Sequence, residues 1–239
     1  MKRPELAFYP ARTYTGLGVL ILPGGGYFDI DFKPEGEEPA RWLNERGFDA
    51  WVFSYPVVLS EEAKDPSRIA RIPALTFKPF EAAKDCITHI RRTCRVQKLG
   101  VWGFGAGGHL AAMLATKTMG LDFAILAYAM ISMEKELADS FTREYLLGAE
   151  HQENVAMVDY FSSEKSVYVD TPPTFLYHTS NDDVVPVQNA LDFASAMARF
   201  RRPFHMLIHS EGPHGVGLGF GRDKPSWTWE LDDWLNQFR

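Results

Sequence analysis

The chain has little of what marks a secreted or membrane protein. Only two of its 239 residues are cysteine, and Cys86 and Cys94 lie eight positions apart on one predicted helix, a poor arrangement for a disulfide between them. Reduced thiols favour a cytoplasmic location. The N-terminal sequence MKRPELAFYP contains no apolar run typical of a signal peptide. No stretch of the chain approaches the length of a membrane span, so we expect no contact with a membrane.

Blocks of like charge are also missing. The net charge of −6 is spread along the chain, which argues against a nucleic-acid partner. The length suits one domain with a single large core. The sequence leaves the oligomeric state open and is compatible with a homodimer.

Apolar runs with the period of strands alternate with runs of helical period, and no internal repeat interrupts them. Strands are predicted at 19–22, 48–55, 99–104, 121–130, 174–178 and 204–209. Helices are predicted at 35–46, 78–93, from 107 onward, and at 134–147, 155–161, 187–200 and 227–238. Residues 57–77 are a predicted surface excursion, and residues 131–170 a candidate cap region. The alternation predicts an α/β fold: a doubly wound, mostly parallel sheet with helices on both faces, over a single domain at 1–239.

The most informative absence is that of a serine at one sharp turn. Residues 98–115, KLGVWGFGAGGHLAAMLA, indicate a buried strand that turns abruptly into a helix. Glycines at 103 and 107 bracket the turn, as in a nucleophile elbow, where the central residue is raised above the sheet and is normally serine. Here it is Gly105. A phosphate-binding turn is the alternative, although the spacing matches neither GxGxxG nor GxxxxGK[ST].

Three other loops with functional character follow predicted strands, and parallel strands bring such loops to one edge of the sheet. The loop at 24–26 is three glycines, and the backbone N–H groups of Gly25, Gly26 and Ala106 are candidate donors to an oxyanion. A mobile loop is the plainer interpretation of the glycines. Further along the chain come an acidic loop at 182–183 and a histidine in a Gly/Pro loop at 214. The order of elbow, acid and histidine is that of the α/β-hydrolases.

Each of these side chains suits a definite chemical role. His214 is the candidate general base, because imidazole changes its protonation near neutral pH. Asp182 is the candidate group that orients the imidazole and stabilises its charged form. Asp183 is the competing candidate, less favoured by its position relative to the Val-Val-Pro that follows. His109, in the first turn after the elbow, is predicted to pack rather than to catalyse.

Together these stretches resemble those of a known family. The matching motifs are LPGGGY (22–27), EGEEPARWLNERGF (35–48), GFGAGGHLAA (103–112), YFSSEKSV (160–167), DTPPTFLYHTSNDDVVPVQNAL (170–191) and GPHGVGLG (212–219). The chain resembles α/β-hydrolase esterases of the acetylxylan esterase and carbohydrate deacetylase type. The resemblance implies hydrolysis of short acyl esters, typically acetyl groups on xylan or other sugars, through a covalent acyl-enzyme and without cofactor or metal. Kynurenine formamidases share a similar glycine loop and elbow, and are an alternative at the level of substrate.

The chain departs from this family at one position. The family elbow is GFSAGGH and the chain has GFGAGGH, so Gly105 stands where the nucleophile belongs, while Asp182 and His214 match the other triad members. Without a hydroxyl, the chain is predicted to be inactive as an esterase. Three explanations remain open: an engineered replacement of serine, a lyase, isomerase, cyclase or water-activating enzyme that reuses the His-Asp pair, or a binding protein without catalysis. Tyr27 and Phe104 are predicted to contribute to the substrate pocket.

Overall fold

A computed structural model describes residues 5–58, 74–219, 221 and 226–239. In that part of the chain, seven strands form one sheet in the order β1-β3-β2-β4-β5-β6-β7. They are β1 (Glu5–Tyr9), β2 (Leu17–Leu22), β3 (Phe48–Ser54), β4 (Lys98–Phe104), β5 (Phe123–Ala127), β6 (Thr174–Thr179) and β7 (Phe204–His209). Only the β1–β3 pairing is antiparallel; every other pairing is parallel. The predicted α/β class is confirmed.

Helices connect the strands on both faces of the sheet. They are α1 (Glu38–Asn44), α2 (Lys78–Thr93), α3 (Gly105–Lys117), α4 (Ser140–Leu147), α5 (Val155–Phe161), α6 (Gln188–Arg199) and α7 (Thr228–Leu235), with a π-helical turn at Lys33–Glu37 and 3₁₀ turns at Ser163–Ser166 and Asn236–Phe238. Across the described ranges, none of these helices has both the length and the apolar character that crossing a bilayer requires.

The strand that leads into the elbow is buried on both faces, as expected for the centre of a parallel sheet. Leu99 and Val101 of β4 belong to the apolar cluster beneath α2 and α3. Trp102 and Phe104 belong to the opposite cluster, which includes residues of α1 and α7. Because both faces are covered, the strand has no polar side, and its end is held rigidly where α3 begins.

The structure differs from the sequence-based expectations at several element boundaries. Strand β1 was not predicted; it pairs with β3 at the sheet edge. The strand predicted at 121–130 ends at Ala127, because Tyr128 adopts a φ of 37° and turns the chain out of the sheet. The helix predicted from residue 134 begins at Ser140, where the Asp139 side chain accepts a hydrogen bond from the Thr142 N–H and caps it. The predicted surface excursion at 57–77 falls mainly on residues outside the described ranges.

Candidate active site

The turn between β4 and α3 has the steep geometry that the sequence predicts. A Cβ on Gly103 would lie 2.2 Å from the carbonyl oxygen of Gly107, and a Cβ on Gly107 would lie 2.1 Å from that of Leu22. Both positions therefore exclude any side chain. Gly105 differs: its φ is 49°, a left-handed value that strains other residues, yet a Cβ there would meet nothing closer than 3.4 Å.

The atom that such a Cβ would approach is Nε2 of His214, at 3.4 Å. On the other side of the ring, His214 Nδ1 lies 2.8 Å from Oδ2 of Asp182. The Asp182 side chain is completely buried, whereas that of His214 is 22% exposed. The structure thus aligns Asp182, His214 and position 105 in one row, while the alternative Asp183 is exposed.

Asp182 is held in place by more than this histidine. Its Oδ1 accepts hydrogen bonds from the backbone N–H groups of Val184 and Val185 at 3.0 and 2.8 Å. Burial by itself would raise the pKa of Asp182, but hydrogen bonds from His178 and His214 outweigh it and lower the pKa below its ordinary value. The carboxylate therefore stays ionised at neutral pH and can balance a charge on the imidazole.

His178 is a second imidazole at the same carboxylate, and the sequence analysis does not single it out. Its side chain is fully buried, with Nε2 3.4 Å from Asp182 Oδ2 and 2.8 Å from the carbonyl oxygen of Val185. The spacing of four residues between His178 and Asp182, across the end of a predicted strand, is the one clue that the sequence offered.

The glycine loop after β2 lies beside the elbow. Two of its carbonyl groups accept hydrogen bonds from residues that follow the glycines: Gly24 O accepts from the Asp31 N–H, and Gly25 O accepts from the Phe28 N–H. Within the described residues, the N–H groups of Gly25 and Gly26 make no hydrogen bond to the protein. The N–H of Ala106 belongs to the first turn of α3, which has no acceptor within the helix.

Two residues predicted for the pocket do not reach it with their side chains. Tyr27 and Phe104 are both completely buried, and neither lines the cavity. The Tyr27 hydroxyl bonds Nδ1 of His109 at 2.7 Å, and Nε2 of His109 lies 2.7 Å from Phe161 O. Both aromatic rings pack into the core, and their contact with substrate stays a prediction. Burial lowers the pKa of His109 to about 4, so this imidazole is neutral.

A cavity of about 500 Å³ opens in front of the elbow and the glycine loop. Gly105, Ala106, His214 and the three loop glycines are among the residues that line it. Its walls are mostly apolar, with Phe28, Met130, Phe141, Tyr145, Val184 and Val185, and the lining also includes the polar residues Asp31, Glu35, Asp139 and Thr142. Residues of α4 therefore supply one wall. No group of three or more His, Cys, Asp or Glu side chains in the described ranges is arranged to bind a metal.

Glu35 is a site residue that sequence reasoning missed. Only 4% of it is exposed, and its two carboxylate oxygens accept hydrogen bonds from the Gly24 N–H at 2.7 Å and the Tyr128 hydroxyl at 2.6 Å. Burial is the main reason that the pKa of Glu35 rises to about 7, although both hydrogen bonds oppose the rise. No periodicity links residues 35 and 128, so only the fold could reveal the contact.

A model of the prolyl oligopeptidase family matches residues 76–238, more than half of the chain. The chain belongs to this family. The matched range includes the elbow, the acidic loop and His214.

Individual relatives agree with this assignment. The structure of an acetyl ester-xyloside bifunctional hydrolase from Caldicellulosiruptor lactoaceticus superposes with a TM-score of 0.81 at 32% identity, over 98% of this chain and 88% of that one. An acetylxylan esterase from Xylanibacter ruminicola is 26% identical over 91% of this chain and 44% of its own length. An endo-1,4-beta-xylanase B from Butyrivibrio fibrisolvens is 31% identical over 88% of this chain and 34% of its own. The chain spans less than half the length of these two curated relatives. The resemblance to α/β-hydrolases of the acetylxylan esterase type is confirmed.

Proposed function

We propose that this chain has the site of a carboxylic ester hydrolase for short acyl esters, with Gly105 removing the nucleophile. The observation that carries the proposal is the row of Asp182, His214 and position 105, in which a Cβ at 105 would lie 3.4 Å from His214 Nε2. A serine hydroxyl on that Cβ would lie within hydrogen-bonding reach of the imidazole. The α/β-hydrolase family membership supports the same chemistry.

In a chain with serine at 105, the reaction follows from these positions. His214 Nε2 takes the hydroxyl proton as the oxygen attacks the ester carbonyl, and Asp182 stabilises the imidazolium. The N–H groups of Gly25, Gly26 and Ala106 are the proposed donors to the oxyanion. The imidazolium then protonates the departing alcohol. A water, deprotonated by the same imidazole, releases the acid and restores the hydroxyl.

In the chain with glycine, no acyl-enzyme can form. Loss of the nucleophile from a comparable triad costs about a million-fold in turnover. We therefore propose that the Gly105 chain binds its ester but turns it over about a million-fold more slowly than a chain with serine at that position.

Acetyl esters of sugars are the proposed substrates. The acetyl ester-xyloside hydrolase and the acetylxylan esterase named above act on such compounds by their names. Phe28 and Phe141 line the cavity and are 36% and 54% exposed, so their rings are free to stack on the apolar face of a sugar. The predicted cap at 131–170 would contribute this outer wall through α4.

The decisive experiment compares this chain with Gly105→Ser on 4-nitrophenyl acetate at neutral pH. Gly105→Ala is the matched control, since it adds the same Cβ to the same backbone without a hydroxyl. We expect hydrolysis by the serine variant alone, and loss of that activity when His214→Gln is added. A folded Gly105→Ser protein that is inert on every short acyl ester, including acetylated xylo-oligosaccharides, contradicts the proposal.

A second candidate function uses the His-Asp pair without a covalent intermediate. It is favoured by one observation: the pair is intact, with Asp182 ionised and His214 facing a sizeable cavity. In that case the imidazole acts as a base in lyase, isomerase or cyclase chemistry, or on water directly. The candidate predicts an activity of the Gly105 chain that His214→Ala abolishes, and its retention in His214→Ala excludes it.

A further inference from the structure

Glu35 lies where the glycine loop meets the core, and its burial needs an explanation. An ionised carboxylate removed from water is costly unless hydrogen bonds compensate. Here Oε2 accepts from the Gly24 N–H at 2.7 Å and Oε1 from the Tyr128 hydroxyl at 2.6 Å. A Cβ on Gly24 would lie 2.5 Å from Oε2. The glycine loop therefore rests directly on this carboxylate.

Tyr128 extends the contact to the other side of the site. Its oxygen accepts a hydrogen bond from the Gly217 N–H at 3.0 Å, and its ring meets the His214 ring edge-on with the centroids 5.0 Å apart. Gly217 lies three residues after His214. The carbonyl of Gly217 in turn accepts from Nε1 of Trp227 at 3.0 Å, which ties the same segment to the core beneath α7.

The loop that holds His214 is thus fixed at both ends. Before the histidine, the Gly212 N–H donates to Asn181 Oδ1 at 3.0 Å, and Gly212 O accepts from the Thr179 hydroxyl at 3.0 Å. After the histidine, the fixed point is the Gly217 N–H on Tyr128. The first anchor belongs to the acid loop, and the second leads to the glycine loop.

We propose that Glu35 and Tyr128 are positioning residues that hold the glycine loop and the histidine loop in one fixed relation. The connection runs from the Gly24 N–H through the Glu35 carboxylate and the Tyr128 hydroxyl to the Gly217 N–H. A carboxylate suits the central place, because it accepts from two donors at once, and hydrogen bonds to a charged acceptor in a buried site are strong. This inference rests on the proposed function in one respect: the proposed function places oxyanion donors in the glycine loop and the general base in the histidine loop.

The direct test uses the chain as it is, labelled with ¹⁵N and ¹³C, and needs no enzymatic activity. The Glu35 carboxyl carbon and the Gly24 and Gly217 amides are followed by NMR from pH 5 to 9. We expect both amides to shift with the midpoint of the Glu35 carboxyl. In Tyr128→Phe, Gly24 should still follow Glu35 while Gly217 should not. Tyr177→Phe is the matched control, since its hydroxyl lies 3.4 Å from His209 Nδ1 and touches neither glycine.

Other charged or titratable groups face Glu35 and must be separated from it. The charge of Asp31 raises the pKa of Glu35 and that of His214 lowers it, and the charge of Glu35 in turn raises the pKa of the buried Tyr55. The carboxyl carbon of Asp31 and the imidazole carbons of His214 report their own midpoints in the same titration. A Gly217 amide that follows His214 rather than Glu35, or that still follows Glu35 in Tyr128→Phe, overturns the proposal.

A kinetic test applies if Gly105→Ser is an active esterase. In that background we expect Glu35→Gln and Tyr128→Phe each to lower kcat by roughly tenfold or more, the scale of one buried hydrogen bond, with little change in KM. Tyr177→Phe should leave kcat unchanged. Unaltered kcat in Tyr128→Phe contradicts the proposal. If Glu35→Gln does not fold, Tyr128→Phe decides, because phenylalanine fills the same space. An inactive Gly105→Ser protein counts against the proposed function and leaves the NMR test intact.

Discussion

Gly105 occupies a backbone conformation that costs other residues energy, in a place where a side chain would fit. With φ at 49°, alanine or serine there should destabilise the fold by about 1–2 kcal/mol through backbone strain alone. We expect Gly105→Ala and Gly105→Ser to lower the free energy of unfolding by similar amounts in urea denaturation.

Substitutions at two other glycines distinguish backbone strain from a steric clash of the added Cβ. Gly120 has a φ of 96°, and a Cβ there would meet no atom closer than 3.9 Å. Gly120→Ala should therefore lower the free energy of unfolding by about the same 1–2 kcal/mol as Gly105→Ala. Gly103→Ala should cost much more, since its Cβ would lie 2.2 Å from a carbonyl oxygen. A loss at Gly105→Ala as large as that at Gly103→Ala would show that position 105 has no room for a side chain.

Single site residues can be predicted from the sequence where their order along the chain and the composition of their loops identify them. Asp182 and His214 were found because each follows a strand in a loop of characteristic composition, and the structure brings them within 2.8 Å. Glu35 and Tyr128 could not be found in this way. They lie 93 positions apart, so no local sequence pattern connects them. Their roles, like those of the residues in the row at Gly105, stay proposals until tested.

Helix α4 supplies one wall of the cavity, and its position depends on how it begins. Asp139 Oδ2 accepts from the Thr142 N–H at 2.9 Å and from the Thr142 hydroxyl at 2.7 Å. Removing such a cap costs about 1 kcal/mol. Asp139→Ala should therefore raise the hydrogen-exchange rates of α4 amides, whereas Asp139→Asn keeps an acceptor and should raise them far less. Equal exchange in the two variants would mean that packing alone fixes the helix.

The sequence predicts the inner strands of the sheet more accurately than the edge strand β1 or the point where β5 ends, for a physical reason. The inner strands β2, β4 and β6 are predicted clearly because continuous apolar runs between helical segments belong to a covered parallel sheet. The edge strand β1 is five residues long and partly exposed, so its sequence has no such run. Residues 121–130 are apolar throughout, yet the strand stops at Ala127, because apolarity reports burial and cannot show where Tyr128 turns the chain.

In the whole molecule, the parallel sheet brings distant loops to one edge. The charges buried in these loops affect the free energy of unfolding of the protein. The pKa of buried Glu35 is raised to about 7, so its proton is bound more tightly in the folded protein than in the unfolded chain. The stability that this group contributes is fully present below its ordinary pKa and is lost as the pH rises through about 7. Asp182 has the opposite sign: its pKa is lowered, so its contribution is lost only in acid, as the pH falls below the ordinary aspartate value.

The two effects are separable because they act in different pH ranges. Between pH 5 and pH 9, the unfolding free energy of the chain relative to Glu35→Gln should fall by about 2–3 kcal/mol, since a shift of one pKa unit corresponds to about 1.4 kcal/mol. Denaturation followed by tryptophan fluorescence at several pH values measures the difference. Glu81→Gln, which changes a carboxylate that is 54% exposed on α2, is the control for the loss of one carboxylate. If the Glu35→Gln difference does not change between pH 5 and pH 9, then the folded protein keeps Glu35 in the same protonation state as the unfolded chain, and burial of its charge does not govern stability above neutral pH.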